Sequence, residues 1–188
     1  MRLTEDIYLV GSAEFGLSNA YDCHVYLLDG GEEATLIDCG VGYDTGQIIR
    51  NIEKYIDIEK VKKVYLTHLH ADHCGGGRDL QELGIEIVAP RNEWEDMQAH
   101  PDEVREAYEI SRNSGCYPEG KEFIFPNPDV YVTDGEELKV GKYTLRCIEL
   151  RGHSAGLMAY FLDDGKRKIL FSGDYVFVNG LVGLLNCP

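Results

Sequence analysis

Four side chains that can bind metal ions lie within six residues of one another: His68, His70, Asp72 and His73. Neutral imidazoles together with a carboxylate suit zinc, and iron or manganese are the alternatives. In an extended loop, His68, His70 and Asp72 would project to one side and His73 to the other, so one turn could serve two neighbouring ions. The run therefore predicts a metal site for one or two ions.

The apolar stretch directly before this run predicts the strand that positions it, at residues 61–66. Gly75, Gly76 and Gly77 follow the run and are expected to let the backbone turn tightly past the metals. Further strands are predicted at residues 7–10, 23–28, 34–37, 85–89, 143–150, 157–162 and 168–171, the first three forming an antiparallel start. Helices are predicted at residues 46–55 and 78–83, with two more between residues 90 and 118.

The His-x-His-x-Asp-His run after a short strand resembles the signature of the metallo-β-lactamase superfamily, and three further segments resemble its other motifs in order. Residues 34–40 resemble the early strand that ends in Asp38 and a glycine. Gly152-His153-Ser154 resembles the third motif, and residues 171–174 resemble the fourth, which ends in Asp174. The resemblance implies an α/β fold, a four-layer αββα sandwich that forms one domain over residues 1–188.

The resemblance also implies a role for each of these side chains. The first metal site would consist of His68, His70 and His153, and the second would begin with Asp72 and His73, with Asp174 bridging the two ions. Two residues are expected to serve catalysis: Asp72 would orient a metal-bound hydroxide, and Asp38 would fix the orientation of a ligand from behind it. The implied activity is a metal-dependent hydrolase acting on a small ester, thioester or lactone, nearest to the glyoxalase-II-like branch.

Members of the family usually carry a last metal-binding histidine near the C-terminus, and no histidine follows His153 here. We therefore expect a C-terminally truncated form of the fold whose second half is incomplete. The alternative function is a catalytically incomplete metal-binding fragment or interaction module. Residues 181–185 contain four large apolar side chains, and another copy of the chain is the nearest cover for them, so a homo-oligomer is predicted.

The composition restricts the partners and the location. The chain has 33 acidic and 18 basic residues, and its net charge of −15 repels nucleic-acid phosphates and anionic lipid. A small-molecule substrate is expected, with no nucleic-acid and no membrane partner. The six cysteines lack the spacing of a disulfide framework, and no leader or membrane-spanning run is visible, so reduced thiols and a cytoplasmic location are predicted. We expect Cys74 to be a buried, unreactive thiol.

Residues 90–118 form a charged, helical insertion that contains Trp94, Tyr108 and Tyr117. The resemblance implies that an insertion at this point covers the metal cleft, and Gly115 would suit a hinge, so the segment could act as a lid. Ordinary packing of two amphipathic helices explains the same residues equally well. Both readings stay open at the level of sequence.

Overall fold

The computed structural model describes residues 1–118, 120 and 122–177. Within these residues the strands are β1 (Ile7–Gly11), β2 (Val25–Asp29), β3 (Ala34–Ile37), β4 (Val61–Tyr65), β5 (Glu86–Pro90), β6 (Val130–Val132), β7 (Glu137–Val140), β8 (Tyr143–Leu150), β9 (Leu157–Asp163) and β10 (Lys168–Phe171). The α-helices are α1 (Thr45–Ile52), α2 (Ala71–Cys74), α3 (Gly77–Glu82), α4 (Arg91–Ala99) and α5 (Pro101–Asn113).

The first sheet has six strands in the order β1-β2-β3-β4-β5-β6. The first three are antiparallel, as predicted, and β3 to β6 run parallel to one another. Parallel strands end at the same edge of a sheet, so the residues that follow β3, β4 and β5 meet there. This shared edge is where the first half of the histidine-rich site is built.

The second sheet is antiparallel, with the order β10-β9-β8-β7. The connection from β8 to β9 carries His153, and the residues after β10 carry Asp174. Two strands were not predicted from the sequence, β6 and β7. They have only three and four residues, and β7 begins with the charged segment Glu137-Leu138-Lys139, so neither shows the long apolar alternation by which a strand is recognised.

Two apolar cores give the fold its layers. One core lies between the first sheet and the helices, where Ile48 and Ile52 of α1 and Leu80 of α3 pack on Leu36 and Val64. The other lies between the sheets. It contains Leu28, Ile37, Tyr65 and Val88 from the first sheet and Leu145, Met158, Tyr160 and Leu162 from the second. Strands β2 to β5 are therefore covered on both faces.

The predicted two-sheet α/β sandwich is confirmed, and its second half is the smaller one. The outer face of the second sheet exposes Arg146, Lys168 and Leu170, and among the described residues none of the five α-helices contributes to the core between the sheets. The order observed for residues 1–118, 120 and 122–177 is therefore helix, sheet, sheet. Residues 181–185, on which the predicted homo-oligomer depends, lie outside the described residues.

Helix α1 begins after a capping residue: the Asp44 side chain accepts a hydrogen bond from the backbone N–H of Gln47 at 3.1 Å. It ends at Ile52, three residues earlier than predicted, because Tyr55 leaves the helix and stacks on Tyr8 with ring centroids 4.3 Å apart. The insertion does form two helices, α4 and α5. Whether they act as a lid stays a prediction.

Among the residues with a described position, none of the helices is both long enough and apolar enough to cross a membrane.

Candidate metal centre

Four connections bring the predicted ligands to one edge of the sandwich. The segment after β4 carries His68 to His73, the residue after β3 is Asp38, the β8–β9 connection carries His153, and the turn after β10 carries Asp174. The sheets are joined there by the backbone N–H of Met158, which donates to the carbonyl of Thr67 at 2.7 Å. The structure thus brings together all seven residues predicted for the site.

Three imidazole nitrogens converge at the first predicted site. Nε2 of His153 lies 3.2 Å from Nε2 of His68 and 3.1 Å from Nδ1 of His70. In a tetrahedral zinc site with Zn–N bonds of 2.0–2.1 Å, the nitrogens are about 3.3 Å apart. Both distances therefore match an edge of such a tetrahedron, in which a fourth corner would take a water or a substrate oxygen.

The protonation of this site favours metal binding. Burial, reinforced by the positive charges of neighbouring histidines, holds the pKa of His68 well below its usual value. Burial is also the main cause that lowers the pKa of His70 to about 4, and the charge of His153 adds to it. Both rings are therefore neutral at pH 7. The Thr67 hydroxyl donates to Asp38 at 2.9 Å, so it accepts from Nδ1–H of His68 at 3.0 Å, which leaves the lone pair of His68 Nε2 facing His153.

The second predicted site surrounds His73. Its Nε2 is buried and makes no hydrogen bond, although a carboxylate oxygen of Asp72 lies at 3.4 Å and one of Asp174 at 3.2 Å. Asp174 also reaches the first site, with an oxygen 3.6 Å from Nε2 of His153. A ring nitrogen facing two carboxylates requires a cation, either a proton or a metal ion.

The charges in the metal-free site follow from this arrangement. Burial alone would lower the pKa of His73, but the anionic groups around it, which include Asp72, Asp38 and Asp174, raise it well above the usual value. The same burial would raise the pKa of Asp72, yet the charge on His73 lowers it to about 2. The pKa of Asp174 is lowered in the same way by His73. A bound metal dication would replace the proton on His73.

Asp38 lies behind His73 and is almost completely buried. Its Oδ2 accepts from Nδ1–H of His73 at 2.8 Å, and its Oδ1 accepts from the backbone N–H of Thr67 at 2.7 Å. Burial raises the pKa of Asp38, while the hydrogen bonds from His73 and Thr67 oppose that shift. Asp38 also has a φ of 62°, a left-handed conformation that is costly for a residue with a side chain.

The backbone of the histidine run differs from the prediction at one point. The segment is extended through His70, but Ala71–Cys74 forms the short helix α2, because the N–H groups of His73 and Cys74 both bond back to the carbonyl of His70 at 3.0 Å. The predicted alternation of an extended loop is therefore wrong for Asp72 and His73. The helical turn directs His73 towards Asp38 on one side and towards Asp72 and Asp174 on the other.

Glycine is required at positions 75 and 76 for a different reason than the one predicted. Gly75 and Gly76 do form a turn between α2 and α3, but their φ values of −64° and −77° are open to any residue, so the turn itself does not require glycine. A Cβ atom on Gly75 would lie 2.2 Å from the carbonyl oxygen of Val41, and one on Gly76 would lie 2.3 Å from that of Cys39. Glycine is required because two backbones touch, which presses the segment after β3 against α2.

Sequence reasoning missed two groups around the centre. Cys23 lies beside Asp38 and His73, with ligand atoms within 4.8 Å of one another, and burial raises the pKa of its thiol to about 12. It stands outside every recognised motif, so nothing in the sequence singled it out. The other group is Glu93 at the start of α4, which is considered below. Cys74 is fully buried and burial raises its thiol pKa, as expected for an unreactive thiol.

Comparison with known proteins agrees with this geometry. The profile of the metallo-beta-lactamase superfamily matches residues 19–185. A hydroxyacylglutathione hydrolase of Rhizobium etli is 29% identical over 131 residues, which cover 69% of this chain and 39% of that protein. The human acyl-coenzyme A thioesterase MBLAC2 is 26% identical over 177 residues, which cover 86% of this chain and 61% of that protein.

Among solved structures, the metallo-beta-lactamase family protein TTHA1429 from Thermus thermophilus has a TM-score of 0.71 and 26% identity. The match covers 97% of this chain and 65% of that one. The chain thus spans between about two fifths and two thirds of the length of these three proteins. Together with the ordered motifs and the convergent histidines, the match over most of the sequence places the chain in the metallo-β-lactamase superfamily.

Proposed function

We propose that the protein is a metal-dependent hydrolase that cleaves a small ester, thioester or lactone. One observation carries the proposal: the imidazole nitrogens of His68 and His70 lie within 3.2 Å of His153 Nε2, and His73 Nε2 nearby faces two carboxylates. A histidine-only site with an open corner, adjoining a carboxylate-rich site, is the arrangement of a catalytic rather than a structural metal centre.

The residues present fit zinc. His68, His70 and His153 would hold the first ion, and Asp72, His73 and Asp174 would hold or share the second. The buried His73 Nε2, which has no hydrogen bond, supports this assignment because a buried polar atom without a partner is costly unless a ligand satisfies it. When bound, zinc supplies a water with a pKa near 7 and a positive charge that polarises a carbonyl. Iron and manganese are the alternatives.

The chain's own carboxylates have separate tasks in this scheme. Asp72 remains ionised near neutral pH because His73 lowers its pKa to about 2, so its free oxygen can accept a hydrogen bond from the attacking water and orient it. Asp38 accepts from Nδ1–H of His73 and so presents the lone pair of Nε2 to the second site. Asp38 is thus a positioning residue, and Asp72 is the group that contacts the reacting water.

The substrate class rests on chemistry and on relatives. Two of the similar proteins bear the names of hydrolases of acyl compounds, a hydroxyacylglutathione hydrolase and an acyl-coenzyme A thioesterase. The net charge of −15 disfavours nucleic acid and anionic membranes as partners. A small acylated thiol is therefore the first substrate class to test, followed by simple esters and lactones. The cytoplasmic location and the homo-oligomer stay predictions.

Metal analysis and a panel of thioesters, esters and lactones at neutral pH would test the proposal. We expect one or two zinc ions per chain and hydrolysis that a chelator removes and zinc restores. His68→Ala should lower kcat/KM by about 100-fold or more. His100→Ala is the matched control, because His100 is exposed and contacts only its own helix neighbour Asp96.

Three outcomes would decide against hydrolysis. If the protein binds no transition metal, or if hydrolysis survives the loss of both His68 and His70, the proposal is wrong. If zinc binds but no member of the panel is cleaved by the complete protein, the chain acts as a metal-binding or interaction module instead.

A further inference from the structure

The loop that carries His153 is fixed at both ends by two consecutive residues of α4. Before the loop, the side-chain amide of Asn92 donates to the Glu149 carboxylate at the end of β8. After the loop, the backbone N–H of Gly156 donates to Oε1 of Glu93 at 2.6 Å. His153 lies between these anchor points, so the start of α4 determines where the loop sits.

Helix α4 is in this position because of the topology of the first sheet. Strand β5 runs parallel to β4 and ends at the same edge, so the first turn of the following helix reaches the segment that carries the other histidines. A carboxylate in the first turn of a helix is also favoured by the helix dipole. These two effects account for a buried acidic residue at position 93.

The Glu93 carboxylate also lies close to the other metal-binding segment. Only 7% of the residue is exposed, and burial raises its pKa, while Ser154 and the backbone amides of Gly156 and Leu69 oppose that shift. Leu69 lies between His68 and His70 in the sequence. The carboxylate is thus bonded to the loop of His153 and lies close to the backbone that separates the other two histidines of the first site.

The packing around Gly156 shows how closely the parts fit. A Cβ atom added at Gly156 would lie 2.7 Å from Cβ of Asn92 and 3.2 Å from the backbone nitrogen of Glu93. The loop rests directly on the first turn of α4, with no room for a side chain between them. A change in this contact would move the loop as a unit.

We propose that Glu93 is a positioning residue of the three-histidine site, setting the position of His153 relative to the His68–His70 pair by bonding to the loop that carries His153. This inference rests on the proposed function, since it assumes that the three histidines bind a metal ion. Partners that lie behind metal ligands change metal affinity about 10- to 100-fold when they are removed. Glu93 should act in this range although it does not touch the ion.

Three variants test the inference by metal binding, without any assay of hydrolysis. Glu93→Ala removes the acceptor of the Gly156 backbone N–H. Glu93→Gln keeps Oε1 for the Gly156 amide but places an amide group where the second oxygen stood. Glu95→Ala is the matched control, because Glu95 is on the same helix, is exposed and pairs only loosely with Arg91 at 3.8 Å.

The first measurement is the affinity for zinc, by competition with a chromophoric chelator, and the second is the visible spectrum of the cobalt-substituted protein. We expect Glu93→Ala to weaken the tighter zinc step about 10- to 100-fold and to alter the cobalt spectrum, which reports ligand geometry. Glu93→Gln should recover part of the affinity, and Glu95→Ala should match the parent. Thermal unfolding of the metal-free forms separates these effects from a general loss of stability.

The outcomes distinguish this inference from the proposed function. If the parent protein binds no zinc, both fail. If the parent binds zinc and Glu93→Ala binds it equally tightly with an unchanged cobalt spectrum, the inference alone is wrong. Should Glu93→Ala not fold, Gly156→Ala decides: its Cβ atom disturbs the contact between the loop and α4, and parent-like zinc affinity with an unchanged cobalt spectrum in this variant would overturn the inference.

Discussion

Replacing Asp38 with asparagine should weaken zinc binding at the second site and leave binding at the first site unchanged. In the parent protein, Oδ1 of Asp38 accepts from the backbone N–H of Thr67, and Oδ2 accepts from Nδ1–H of His73. A backbone N–H cannot become an acceptor, so the side-chain oxygen of the introduced asparagine must stay opposite Thr67. The amide NH2 group then faces His73 Nδ1, which has to give up its proton and become an acceptor.

The consequence falls on the opposite side of the ring. A neutral His73 with an unprotonated Nδ1 carries its proton on Nε2, the atom that faces Asp72 and Asp174. That atom can no longer donate a lone pair to a metal ion. Hydrogen bonds to charged groups contribute about 1.5–3 kcal/mol, so forcing the wrong tautomer should weaken the second site about 10- to 150-fold at 1.4 kcal/mol per tenfold.

The zinc affinity of the first site should stay unchanged. The Thr67 hydroxyl can turn to the remaining oxygen of residue 38, which lies at 3.1 Å in the parent, and still accept from Nδ1–H of His68. A zinc titration against a chelator of known affinity would therefore show a parent-like tight step and a lost or much weakened second step. Asp44→Asn is the control, because asparagine caps helix α1 as well as aspartate does. Two steps of unchanged affinity in Asp38→Asn would refute the tautomer argument.

Three further predictions concern the sandwich and the titration of the site. Tyr160→Phe removes the hydroxyl that donates to the buried carbonyl of Leu66 at 2.6 Å. We expect the unfolding free energy to fall by about 1–3 kcal/mol, which lowers the Tm by about 2–4 °C per kcal/mol. A fall in Tm no larger than that of Tyr43→Phe, at an exposed tyrosine, would contradict this prediction. Asp6 is bonded by Arg167 at 2.9 Å, and although burial opposes it, this contact lowers the Asp6 pKa to about 2. A carboxylate with a lowered pKa stabilises the fold at pH values above its ordinary pKa near 4, and this stabilisation is lost as the pH falls towards 2. In urea unfolding, the difference in unfolding free energy between the parent and Asp6→Asn should therefore shrink by about 2 kcal/mol from pH 5 to pH 2. A constant difference would exclude the ion pair. In the parent, zinc binding at the second site should strengthen with rising pH more than binding at the first site, because His73, whose pKa is raised, must release a proton to bind the ion. Two zinc-binding steps with the same pH dependence would contradict this prediction.

The sequence identified the histidine run because its chemistry is local. Four metal-capable side chains within six residues need no knowledge of the fold to be noticed. The motifs at His153 and Asp174 each supply a single candidate ligand, and only their order along the chain, through the family resemblance, connected them with the run. Their actual convergence depends on β8 and β10 ending at the edge where β4 ends, a property of the sheets that no local pattern contains.

Local conformation was predicted less well where tertiary contacts decide it. The alternation expected for residues 68–73 fails because the carbonyl of His70 binds two amides and begins α2. The glycines after the run were predicted for the freedom of their backbone to turn. Glycine is needed there because the backbone of Val41 and Cys39, about thirty-five residues earlier in the chain, approaches too closely for a side chain. Short strands such as β6 gain their pairing from a neighbour, so their own residues show little periodicity.

Glu93 shows what kind of site residue a motif search overlooks. It is one of 33 acidic residues, it belongs to no pattern, and the charged segment around it favours an exposed helix. Its importance follows from topology: β4 and β5 are parallel, so the first residues after β5 must lie beside the residues after β4. An acidic residue in the first turn of a helix that follows such a strand is therefore a candidate for binding the backbone of the neighbouring metal segment. The same contact limits the lid hypothesis, because the first turn of α4 is bonded to both ends of the loop that carries His153, and any opening motion has to begin beyond this turn.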